Sequence, residues 1–142
     1  MSHSLSVAVA DAVAAALTAG EFAQPVTAHR TWLPRYEPQQ LAATQVAVVP
    51  SGEKITQSTR TRNAHEVTVD VSVMQRIATD TAADGLSLLV EQLADYLRLR
   101  RLTGFSSVVW SGTELYVTHS LQHLQEHNVF LSVFRVTYRV VR

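Results

Sequence analysis

Residues 66–73, Glu-Val-Thr-Val-Asp-Val-Ser-Val, alternate polar and apolar without a break. Side chains of an extended strand point to opposite faces in turn, so Val67, Val69, Val71 and Val73 share one face and Glu66, Thr68, Asp70 and Ser72 the other. A helix would scatter the four valines around its circumference. The stretch therefore demands a sheet with one buried and one wet face, and other parts of the chain must cover the valines.

Two amphipathic segments offer that cover. Leu5, Val9, Val13, Ala16 and Leu17 recur at helical spacing, with Ser4 placed as an N-cap and Gly20 as a stop, which predicts a helix over 4–19 with Asp11 off its stripe. A second helix is predicted from about Thr81 to Leu102, on a stripe of Leu86, Leu89, Val90, Leu93 and Leu97. Asp80 and Asp84 suit its start, and Arg98, Arg100 and Arg101 its end, where the helix dipole favours each charge; Gly104 closes it.

Further strands are predicted over Val26–Tyr36, where Pro34 fits only an edge or the strand's last residues, over Thr44–Pro50, and over Val129–Val141. In the last, Phe130, Phe134, Val136, Tyr138 and Val140 share a face, and Arg135, Thr137 and Arg139 the other. Glu37–Gln40 and Pro50-Ser51-Gly52 are turn signals. The polar stretch Ser51–His65 carries Lys54, Arg60 and Arg62 against Glu53 and reads as a long loop, the first place to look for a partner. Residues 105–119 read as irregular with an extended piece near Val108–Trp110, and Ser120 can cap a helical turn over 121–126. With no repeating strand–helix–strand rhythm, the expected architecture is α+β: a mostly antiparallel four-stranded sheet with two helices packed on one face, in one domain spanning 1–142.

Length and composition agree with one domain. The chain has 142 residues, 46% apolar and 17% charged, so it has the means to bury a core. Twelve basic side chains balance twelve acidic ones, which argues against non-specific nucleic-acid binding. There is no cysteine, so disulfides, thiolate metal sites and thiol nucleophiles are excluded. No apolar run approaches the roughly 20 residues of a membrane span, and Met1-Ser-His-Ser lacks the features of a secretory signal.

Reactive motifs are few. His123-Leu-Gln-Glu126-His127 matches a zinc-hydrolase pattern in which two histidines one helical turn apart share an ion and the glutamate acts as base. A third ligand is missing: no Asp, Glu or His follows His127. His119 lies about 12 Å from His127 along a straight helix, too far for one ion. The plainer reading is a polar face on a short surface helix, with no metal and no cofactor. Ser51-Gly-Glu-Lys54 has the serine–lysine spacing of some acyl-transfer enzymes, but its turn residues place it in open water rather than at a buried helix start. No phosphate-cradling glycine loop is present. Trp32, Tyr36 and Trp110 are candidate interface anchors, and equally candidate core.

Several segments, taken together, resemble a family of small tailed-bacteriophage proteins: Ser4-Leu-Ser-Val-Ala-Val-Ala-Asp11-Ala-Val, Trp32-Leu-Pro-Arg-Tyr36-Glu, Val48-Val-Pro50, Leu89-Val-Glu-Gln-Leu-Ala-Asp-Tyr-Leu97, Arg101-Leu-Thr-Gly104 and Phe134-Arg-Val-Thr-Tyr-Arg-Val-Val-Arg142. Within that group the element order is similar to the tail terminators, or tail-completion proteins. The resemblance implies a structural virion protein without a catalytic site. It implies a homo-oligomeric ring, usually of six, that caps the tail tube, ends tail growth and offers a docking surface to the head–tail connector. It leaves room for passing contact with DNA in the lumen and none for a membrane. The expected interface residues are Lys54, Arg60, Arg62, Glu66, Asp70 and Trp32. A head-completion or adaptor protein on the portal side is the alternative in the same particle, and a small metal-dependent hydrolase the alternative of another class.

Overall fold

The computed structural model describes residues 4–22, 24–33, 38–98, 100–102, 108–117 and 128–142. Helix α1 spans Leu5–Ala19 and helix α2 spans Asp80–Leu97. The strands are β1 (Ala28–Arg30), β2 (Gln45–Gln57), β3 (Asn63–Arg76), β4 (Val109–Val117) and β5 (Val129–Val141), and a 3-10 turn covers Pro38–Ala42. They form one sheet in the order β1-β2-β3-β5-β4. β1 pairs parallel to β2, and every other pair is antiparallel. The architecture is α+β, as the pattern requires, but among the described residues the sheet is mixed and has five strands rather than four.

The valine alternation does what its period dictates. Val67, Val69 and Val71 lie opposite Tyr138, Val136 and Phe134 of β5, and all six are fully buried. Val46 and Val48 of β2 extend this face, and Val9, Val13 and Leu17 of α1 with Leu89, Leu93 and Leu97 of α2 close it. Both helices therefore sit on one side of the sheet, burying a core that is mostly valine and leucine. Side chains of this kind contribute about 1.5–3 kcal/mol each when fully buried.

The helix ends show local chemistry. The Ser4 hydroxyl accepts from the Val7 amide, and the Thr79 hydroxyl from the Ala82 amide, so each helix has the N-cap its first turn needs. α1 does stop at Gly20, but not in a left-handed conformation: φ is −75°. A methyl group there would lie 2.7 Å from the Phe22 ring, which stands edge-on to Tyr96, so the glycine is needed for close approach. α2 ends at Leu97, short of the expected Leu102. The chain leaves the helix through an extended Arg98, and the Arg100 guanidinium reaches back to the Tyr96 carbonyl and lies over its ring. Gly104 lies outside the described residues.

Four expectations are corrected. The strand expected over Val26–Tyr36 is only the three-residue β1; Pro34 and Tyr36 lie outside the described residues. The loop expected over Ser51–His65 is mostly strand. β2 runs on to Gln57 and β3 begins at Asn63, leaving five residues, 58–62, as the turn. The Pro50-Ser51-Gly52 signal is a β-bulge, where the register shifts by one residue and the strand continues. In the region 105–119, expected to be irregular, the extended piece expected near Val108–Trp110 is the start of the nine-residue edge strand β4, which runs on to Val117. Its two register shifts against β5 break the alternation that would have marked it.

Candidate interaction surface

The face of the sheet away from the helices sets opposite charges on neighbouring strands. Asp70 accepts from both Nε and a terminal nitrogen of Arg135, at 2.9 and 3.4 Å. Glu114 on β4 lies opposite Arg135, so one row reads Asp70, Arg135, Glu114 across β3, β5 and β4. A second row, Lys54, Glu66, Arg139, crosses β2, β3 and β5. Thr68 lies opposite Thr137 between them. The expected polar row Glu66, Thr68, Asp70, Ser72 is thus on the open face. Ser72 is buried there, and its hydroxyl has no partner among the described residues. The two rows hold three cations and three anions, so their charges cancel; Arg76, at the end of β3 on the same face, is exposed.

The β2–β3 hairpin carries the expected basic residues. Lys54 stands exposed on β2, and Arg60 and Arg62 are exposed at the tip. The tip is built by hydrogen bonding: the amides of Ser58 and Thr59 donate to the Arg62 carbonyl at 3.1 Å, and the Arg62 amide donates to the Thr59 hydroxyl. Below it, Asn63 and Arg142 exchange backbone bonds at 2.8 and 2.9 Å.

One cluster was not anticipated. Glu53 meets the His65 ring at 3.0 Å through one oxygen and accepts from the Ser6 hydroxyl at 3.1 Å through the other. This ties the start of α1 to the root of the hairpin. His65 has the parity of the four valines, counted back from Val67, and that was the available signal for its burial. The carboxylate stands between serine and histidine, so the imidazole does not reach the hydroxyl, and the serine–histidine contact of an activated nucleophile is not formed.

The remaining candidates are dispersed. Trp32 is 64% exposed just beyond β1, whereas Trp110 is partly buried and donates to the Thr113 hydroxyl at 2.9 Å. Ser51 bonds Thr68 at 3.2 Å from an exposed strand, so Ser51 and Lys54 lack the buried helical turn that serine–lysine chemistry uses. His119, His123, Glu126 and His127 lie outside the described residues; among the described residues no three groups are placed to hold a metal ion. Asp11 pairs with Arg30, joining α1 to β1. Deep in the core, burial pushes the Tyr138 phenol well above its ordinary range, and its hydroxyl has no partner among the described residues.

Among the described residues, no helix is long and apolar enough to cross a membrane. No protein-family model matches the chain, and no curated protein sequence matches it.

Proposed function

We propose that this chain is a structural protein of the tailed-bacteriophage neck: a tail terminator that assembles as a ring on the tail tube, ends its growth and joins it to the head connector. The observation that carries the reading is the pair of open edges on opposite sides of the sheet. Among the described residues β4 has no outer partner, and β1 covers only Val46–Val48 of β2, leaving that strand without an outer partner from Gly52 to Gln57. A ring needs two different, complementary patches on one subunit, joined by a rotation that closes. The segments that resemble tail terminators add six as the number of copies.

In this reading Arg60 and Arg62 at the hairpin tip, with Trp32 beside β1, meet the tail tube or the connector. Glu66 and Asp70 belong to charge-balanced rows that let DNA pass without holding it. The protein acts in the virion after assembly in the host cytoplasm. Particles assembled without the chain test this. Tails of irregular, excess length are the expected result, and normal tails beside leaking heads would place the protein on the portal side instead.

A further inference from the structure

We infer that the two open edges pair with each other between copies: β4 of one subunit adds to the bare half of β2 of the next, antiparallel, with Glu114 opposite Lys54. This deepens the ring reading and rests on it for closure.

The direction is correct without adjustment. β2, β3, β5 and β4 alternate in direction, so β4 runs opposite to β2, and sheets laid side by side with their helices on the same side meet as an antiparallel pair. Placing Glu114 against Lys54 sets Leu115, Thr113 and Gly112 against Glu53, Ile55 and Thr56. Every residue then keeps its face. Ile55 (57% exposed) and Leu115 (39% exposed) become diagonal neighbours on the helix side, where each covers apolar surface of the other.

Charge selects this pairing over its rivals. Across the junction the open face would read Asp70, Arg135, Glu114, then Lys54, Glu66, Arg139 of the next copy: strict alternation through six strands. The symmetric pairings centred on the same two residues are disfavoured. Pairing β2 with β2 about Lys54 sets lysine against lysine, and pairing β4 with β4 about Glu114 sets glutamate against glutamate, both unfavourable.

The same register meets the geometry of closure. It staggers each subunit by four residues for every four strands added. At about 3.3 Å per residue and about 4.8 Å between strands, that tilts the strands by roughly 35° to the ring axis, within the usual range of closed sheets.

The test is charge reversal read by native mass spectrometry and sedimentation of the full chain. Lys54→Glu puts glutamate against glutamate at every junction, and Glu114→Lys puts lysine against lysine. Each variant alone is expected to self-associate at least tenfold more weakly than wild type while keeping its circular dichroism spectrum. An equimolar mixture of the two is expected to recover the wild-type oligomer, because copies alternating around the ring oppose glutamate and lysine at both kinds of junction. Any strain within each chain is unchanged by mixing, so recovery reports the junction alone. Singles that associate like wild type, or a mixture no better than either single, overturn the interface and leave the ring reading standing. A wild-type chain that stays monomeric even on tail tubes overturns both.

Discussion

Tyr138→Phe is expected to stabilise the protein. Tyr138 is fully buried among the core side chains, and its hydroxyl meets no partner among the described residues. A buried hydroxyl without a partner costs about 1–3 kcal/mol, and phenylalanine keeps the ring while removing the group that pays it. At about 2.1 cal/mol/K per residue, unfolding 142 residues carries an entropy near 0.3 kcal/mol/K, so each kcal/mol raises Tm by about 3 °C. The variant should therefore melt roughly 3–10 °C higher at pH 7. Alkaline pH supplies an independent check. The phenol is held well above its ordinary pKa by burial, so above about pH 10 the unfolded chain releases this proton and the folded one retains it. The unfolded state then binds fewer protons, and stability falls as pH rises. Wild type should lose about 1.4 kcal/mol per pH unit more than the variant in that range. Urea melts at pH 7 and at several values above 10 measure both effects. A variant less stable at pH 7, with parallel alkaline slopes, would show that the hydroxyl is satisfied and the reasoning wrong.

Gly20→Ala should cost about 1–3 kcal/mol, because its methyl group must displace the Phe22 ring, which is held against Tyr96; denaturant melts and the near-ultraviolet signal of that pair report it. Replacing 58–62 by a two-residue Asn-Gly turn should leave the far-ultraviolet spectrum intact, since the strands on either side remain paired, yet abolish tail joining in a complementation assay. Tails completed at the wild-type rate would remove Arg60 and Arg62 from the contact surface.

Much of the core could be read from periodicity, because burial on one face imposes it. β3, β5 and the stripe of α2 are segments of this kind, and the apolar residues their spacing picks out are buried; in α1 the spacing finds Val9, Val13 and Leu17 but misses the buried Val7, Ala10 and Ala14, and Leu5 and Ala16 are only partly covered. The distal half of β2 was hidden for a physical reason. From Ser51 to Gln57 it is largely exposed on both faces, so nothing forces its residues to alternate, and the bulge at its root imitates a turn. β4 is an edge strand with two irregularities, and β1 is three residues long, too short for any period to show. The surface was legible only in part. The row Glu66, Thr68, Asp70, Ser72 could be placed on the wet face, but its partners Arg135, Arg139, Lys54 and Glu114 depend on strand order and register, which a linear pattern does not encode. The Glu53–His65–Ser6 brace joins residues up to 59 positions apart and has no local signature.

The central claim is that the chain works as a closed ring seated on a tube. Electron microscopy of isolated tail tubes mixed with the purified chain tests it most directly. The account predicts a single ring of six copies at one end of each tube, with no further tube growth from that end. Tubes left bare, or decorated along their length by scattered single copies, would contradict it.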